Sequence, residues 1–506
     1  MPCRVTYCAR NVLLAGLFVA LAICPLAADQ TNSEIPAHPN ELKYAPLIYE
    51  PPTATKYRKV LRNGVVAFLA EDHELPLINV SLIIRTGQYL EPKGKEGLAS
   101  MMASQMRLGG TTGLDADAFD EEVAFLAATI SSGMGGTQAS AGLNSLKQNA
   151  DRALELFFDM LRNPRFQQDR IDLYKRQILQ AMERRNDRTD GIQAREWNRL
   201  MYGNDHFSTS QSTQASIESI TREDLLTFHK QYYHPRNFIF AVSGDFDSEK
   251  MVALLEAFLE NWESPKMKVP PVPKPRYTPA PGLYLVSKAE VNQGRVTLGH
   301  LSTTRDNPDY YALSLMDDIL GGGGFTSRIT ARVRSDEGLA YSARSSFGFG
   351  TYYDGVFQAS FQSKSSTCAQ AASIVLEEIE RLRRQPVTSA ELETAINAAV
   401  EIFPRYFATK AAVVGTFADD EYTGRKPDFW STYRDRIRRV TTDEVLRVAR
   451  QYLHPDQLLI LAVGNVEEML KGNPDRPEFS FEKLAQGKPI RRIPLPDPLT
   501  MVYPKN

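Results

Sequence analysis

Cysteine is nearly missing from this chain of 506 residues: there are four, and Cys3, Cys8 and Cys24 all lie near the N-terminus. Cys368 is left alone beyond them, so no internal disulfide can form there and stability must come from core packing. An excess of one charge is missing too. Lys and Arg number 59 against 61 Asp and Glu, a formal net charge of −2, which argues against nucleic acid as a partner. After residue 26 no apolar run is long enough to span a membrane. No two of the seven His are four residues apart, which excludes a helical two-His metal face. His229 and His234 are too far apart around a helix to converge, and His234 and His454 read as packing residues before Pro. There is no Gly-x-Ser-x-Gly elbow, and no Lys-Ser/Thr pair follows Gly321–Gly324. A serine-hydrolase turn and a nucleotide phosphate loop are thereby excluded.

What is present begins at the N-terminus. Arg4 and Arg10 precede an apolar stretch from Val12 to Leu26, with Ala27 and Ala28 after it. This pattern predicts a secretory signal over residues 1–28. An exported chain without disulfides points to a bacterial periplasm or envelope. Membrane contact is expected only through that segment, if it stays uncleaved.

The chain carries an internal repeat. Residues 220–235 read ITREDLLTFHKQYYHP and residues 440–455 read VTTDEVLRVARQYLHP, an offset of 220 without a gap. Each has a Thr N-cap, acids in the first turn, apolar residues at helical spacing and a Pro stop. Each leads into an apolar run, FIFAVSG and LLILAVG, that reads as a buried strand. LELFFDMLRNP and LEEIERLRRQP echo one another at a similar offset. A period this long means two copies of one domain.

The layout follows: an N-terminal domain over 44–263, a linker over 264–281, a C-terminal domain over 282–475 and an extended tail over 476–506. The linker holds seven prolines and should be semi-rigid, holding the two lobes apart. In the first copy Val65–Glu71 and Ile78–Thr86 are expected as paired strands, and Leu98–Leu108 and Asp115–Ala127 as helices. Ala128–Leu143 should be a hairpin and Leu146–Leu161 an amphipathic helix. The predicted class is α+β: two duplicated domains, each an antiparallel-rich sheet with helices packed on one face.

Three stretches, RTGQYLEPKGKEGLASMM, YYHPRN and GGGGFTSRITARVRSDEGLAYS, carry a resemblance to the pitrilysin/insulinase family, in its short, two-lobed bacterial processing-peptidase type. The resemblance covers nearly all of the chain after the signal. It implies that the chain forms half of a clamshell chamber. Active members bind zinc through His-x-x-Glu-His on a helix, where two His share a face and the Glu takes a proton from metal-bound water. Aligned here, Ser100 and Ser104 stand at the His positions, Ala103 at the Glu base, and Ala181 at a distal Glu ligand. The site is degenerate, so no metal or other cofactor is expected in this chain.

The resemblance implies that Arg334 and Tyr341, seven apart in VRSDEGLAYS, are kept as a substrate-binding pair. An Arg fork can hold peptide carbonyls or a carboxylate, and a Tyr hydroxyl can donate to a developing oxyanion. Arg328 and Arg332 are nearby alternatives whose spacing to Tyr341 does not fit. Gly321, Gly322, Gly323 and Gly324 read either as a turn or as a loop close to substrate. The expected function is the zinc-free subunit of a heterodimeric zinc metallopeptidase, completing the site of a zinc-bearing homologous partner. The zinc would sit in that partner, and the substrates would be peptides. The alternative is a peptide-binding or assembly subunit without catalysis.

Overall fold

The computed structural model describes residues 38, 41–42, 49–485 and 487–504. The predicted signal, residues 1–28, lies outside the described residues. In the first unit, Met1–Ile48, the Glu41 amide donates to the His38 carbonyl at 3.0 Å. The remainder, Tyr49–Asn506, is one compact unit.

That unit is built on two six-stranded sheets. The first uses β1 (Arg58–Val60), β2 (Val66–Glu71), β3 (Leu77–Ile84), β4 (Thr129–Met134), β5 (Ala139–Leu146) and β6 (Phe238–Gly244), in the order β1-β2-β6-β3-β5-β4. The second uses β7 (Gly282–Ser287), β8 (Gln293–Leu301), β9 (Ala340–Phe347), β10 (Val356–Lys364), β11 (Leu459–Gly464) and β12 (Ile490–Arg492). Its order is β9-β10-β8-β11-β7-β12, and apart from the outer strands β1 and β12 it is the first sheet's read from the other end. Antiparallel pairs dominate. The parallel ones are β2 with β6, β7 with β11, and β12 with β7. The α+β reading of a duplicated, antiparallel-rich architecture therefore holds.

One pairing differs from expectation. β2 and β3 are not neighbours, because β6 lies between them, parallel to one and antiparallel to the other. All seven residues of β6 are buried. A strand that is apolar on both faces is more stable at the centre of a sheet than at its side.

The repeated helices are α5 (Arg222–Tyr232) and α8 (Thr442–Tyr452) among α1 (Leu98–Leu108), α2 (Ala150–Arg162), α3 (Gln168–Glu183), α4 (Thr189–Tyr202), α6 (Cys368–Arg384) and α7 (Lys410–Thr423). Both repeated helices open with a capping box. Thr221 and Asp224 satisfy each other's backbone N–H groups, as do Thr441 and Glu444. Pro235 and Pro455 stand just beyond their ends.

The two halves are not held apart. Each lends a helix to the inner face of the other's sheet. From the second half, α7 lays Val413, Val414, Phe417 and Ala418 onto Phe68, Ala70, Ile239 and Ala241 of the first. From the first half, α4 lays Ile192, Trp197, Leu200 and Met201 onto Tyr284, Val286, Leu459, Leu461 and Val463 of the second. A Tyr at the far end of each helix latches the exchange. The Tyr202 hydroxyl donates to the Asp354 carbonyl at 3.2 Å, and the Tyr422 hydroxyl donates to the Thr137 carbonyl. Residues 263–281, most of them the Pro-rich segment, carry no regular structure. Apolar area left bare by the sheets outweighs the stiffness of that connection.

The tail wraps this chain itself. β12 adds to the second sheet, and the segment after it crosses to the first half. There Asn186 donates to the Pro496 carbonyl at 2.8 Å, and the Gln214 amide donates to the Leu499 carbonyl at 2.8 Å. The Tyr503 hydroxyl donates at 2.7 Å to Glu196, whose side chain is fully buried and also paired with Arg195 and Arg199.

Candidate functional site

The zinc-motif positions fall on α1 and α3, which pack together in the first half. Ser100 is half-buried and accepts a hydrogen bond from the Gln88 side chain at 2.9 Å. Ala103 is buried, Ser104 is half-buried, and Ala181 is exposed near the end of α3. Two hydroxyls that stay protonated at neutral pH and two methyl groups do not make a zinc site. Among the described residues, no group of three or more His, Cys, Asp or Glu side chains could hold a metal ion. His229 donates from Nε2 to the Leu161 carbonyl at 2.8 Å, and burial pushes its pKa down to about 4. His300 bonds the Leu301 carbonyl through Nδ1, and its Nε2 accepts from the His454 amide.

α1 starts at Gly97, at φ 102°, where no side chain can cap it. Glu91 does so from outside, accepting from the amides of Gly97 (3.2 Å) and Ala99 (2.8 Å). Burial pushes its carboxyl up to about 7 and outweighs those two bonds, which act in the opposite sense. A carboxyl whose folded pKa lies above its unfolded value near 4.5 stabilises the fold fully below that value. This stability is lost as pH rises toward 7. Urea unfolding at the two ends of this window should show the wild type losing roughly 2–3 kcal/mol more than Glu91→Gln. Equal pH profiles for the two proteins would contradict this assignment.

In the second half, three arginines fall within one segment, and the structure separates them. Arg328 makes a two-bond pair with Glu391, at 2.7 and 3.0 Å. Arg332 pairs with Glu377 at 2.9 Å and with Glu378 at 3.0 Å. Both therefore serve the fold. Arg334 has no carboxylate within ion-pair distance among the described residues. Its guanidinium carbon lies instead 4.8 Å from the Tyr341 ring centre and 4.4 Å from the Phe325 ring centre.

The backbone explains how residues seven apart meet. Ala331–Asp336 winds in wide π-type turns, which rotate side chains away from their α-helical directions. Tyr341 lies in a β-bulge. Ala340 faces Ser363 and Ala343 faces Phe361, so Tyr341 and Ser342 share one partner residue on β10. A bulge re-aims side chains, and here both point to solvent, with Tyr341 85% exposed. β9 is an edge strand, paired only with β10. Sequence reasoning missed Phe325, whose neighbours in GGGGFTSR gave no sign that it would reach Arg334.

The glycines are needed within the chain. A Cβ on Gly321 would lie 2.4 Å from the Ser345 amide nitrogen, and one on Gly323 would lie 2.6 Å from the Asp318 carbonyl oxygen. Gly324 takes φ +72°. Gly322 lies over a half-buried acidic pair, Asp317 and Asp318. Ser345 donates to Asp317 at 2.6 Å, and burial raises the pKa of both acids, Asp318 to about 6.

Residues 66–211 match the profile of the insulinase family (peptidase family M16), and residues 219–399 match that of the peptidase M16 inactive domain. The chain is 24% identical to "non-peptidase homolog YmxG" of Helicobacter pylori, over 90% of this chain and 97% of that protein. It is also 24% identical to "zinc protease PqqE" of the same organism, over 78% and 90% of the two chains. Among solved structures, a peptidase M16 inactive domain from Pseudomonas fluorescens superposes with a TM-score of 0.71 at 24% identity, covering 80% of this chain and 97% of that one. A protease from Helicobacter pylori gives 0.70 at 21% identity, covering 82% and 100%.

Proposed function

Since the chain belongs to the insulinase family (peptidase family M16) and lacks that family's zinc motif, we propose that it is the zinc-free, substrate-binding subunit of a heterodimeric zinc peptidase. The observation that carries this reading is the Arg334–Tyr341 pair: a half-buried Arg over an exposed Tyr ring, the Arg answered by no acid among the described residues. A charged fork that the fold does not use is available to a ligand.

A peptide can add as a strand to a sheet edge, where backbone bonds give affinity with little demand on sequence. Arg334 then donates to peptide carbonyls or a carboxylate. Tyr341 presents its hydroxyl to the oxygen that gains charge as the peptide bond is attacked. The hydrolytic metal belongs to a homologous partner, because the positions on α1 and α3 cannot hold one. The Arg4–Ala28 pattern supports placing the pair in a bacterial periplasm or envelope.

Co-expression with a His-x-x-Glu-His homologue from a neighbouring reading frame tests this. The two chains should elute together with zinc bound to the partner alone, and peptides should be cut only by the pair. Purified alone, this chain should neither take up zinc nor cleave. Uptake of one zinc per chain with cleavage, or failure of the two chains to associate, would overturn the proposal.

A further inference from the structure

Phe325 is 68% exposed, a costly placement for a Phe that covers no core. The Arg334 guanidinium lies over its ring. The turn that carries it is fixed in two ways. Ser327 donates to the Gly324 carbonyl at 2.6 Å, and Thr330 donates to the Ala343 carbonyl on β9 at 2.7 Å. The same strand carries Tyr341. Both rings of the stack therefore stand on elements tied to one another, so their spacing is set before any ligand arrives.

A guanidinium is flat, weakly hydrated on its faces, and carries its N–H donors in the plane. With its carbon over two rings, the guanidinium keeps its in-plane N–H donors for a ligand. We infer that Phe325 is a positioning residue: it and Tyr341 clamp Arg334 so that its rim meets a planar pair of peptide oxygens edge-on. This rests on the proposed peptide-binding role of Arg334. The oxygen pair is either a carboxylate or two successive backbone carbonyls.

Titrating the full chain against a fluorescein-labelled unstructured peptide, followed by anisotropy, tests the clamp. Phe325→Leu keeps an apolar side chain but loses the ring face, and should weaken binding about two- to five-fold. Phe325→Tyr should restore it. In an Arg334→Ala background, Phe325→Leu should cost nothing more, since the interaction it supports is already gone. Thermal unfolding of the single variants should stay near that of the wild type. An amidated twin of the peptide separates the two oxygen sources: amidation removes the Phe325 dependence if a terminal carboxylate is bound, and leaves it if carbonyls are bound.

If Phe325→Leu binds as the wild type does, or costs as much without Arg334 as with it, the clamp is wrong while the Arg334 reading stands. If Arg334→Ala itself keeps full affinity, or the wild type does not bind the probe, that reading falls and the clamp with it.

Discussion

Tyr341→Phe in the assembled peptidase is expected to lower kcat by about two to three orders of magnitude while leaving KM and zinc content nearly unchanged. The substitution keeps the ring that lies 4.8 Å from Arg334, so the stack and the ground-state binding it supports survive. Only the hydroxyl is lost, and its donation matters most when the peptide oxygen becomes charged. Arg334→Ala should behave differently. It removes a binding fork and leaves two exposed rings without their cation, so the main change should be a rise in KM. Steady-state kinetics on the zinc-loaded pair separates the two. Unchanged turnover in both variants would remove this chain from the reaction and leave it a structural companion.

Phe417→Ala is expected to cost about 3–5 kcal/mol and to uncouple the halves. Phe417 stands on α7 in the second half, with ring centres 6.2 Å from Phe68 and 6.1 Å from Tyr57 in the first. Truncation leaves a cavity between α7 and the first sheet, at the seam where the two halves meet. Denaturant unfolding should change from one transition to two, and a protease should gain access to the Pro-rich segment 264–281. One turn further along α7, Glu421 pairs with Arg58 at 3.1 Å where both side chains are partly exposed. Glu421→Gln should therefore change stability by less than about 1 kcal/mol. If Phe417→Ala unfolds in one step at a nearly unchanged midpoint, the exchanged helix is not what joins the halves.

Several features could be read from the residues because they are local. The Thr221 and Thr441 caps, the apolar helix faces and the Pro stops all lie within one helix length. The strand runs at 238–244 and 459–464 are continuous and apolar. The zinc positions could be judged by side-chain chemistry, since Ala103 and Ala181 offer no donor in any fold. Arg334 and Tyr341 could be paired through a segment whose pattern resembles a family, although their spacing fits neither a regular helix face nor a strand face.

Other features depended on partners far away in the chain. β6 enters between β2 and β3 from more than 150 residues downstream, because it needs cover on both sides. Nothing within α4 or α7 says whose sheet it will cover, since an apolar stripe fits any bare apolar face. The tail's Pro496 and Leu499 carbonyls and its Tyr503 hydroxyl find partners in Asn186, the Gln214 amide and Glu196 on the first half, which no local pattern announces. Phe325 and Tyr341 meet Arg334 only through the π turns at Ala331–Asp336 and the bulge in β9, both of which depend on packing and pairing with distant segments.

The sequence by itself determined the duplication, the elements of each copy and the lack of metal donors at the aligned positions, because each depends on residue chemistry or on periodicity over a few turns. Only the tertiary structure decided which arginine is free, what holds it, and how two copies become one body. Those outcomes depend on which surfaces meet across long loops, where hydrophobic burial has no direction and many pairings satisfy the same local pattern.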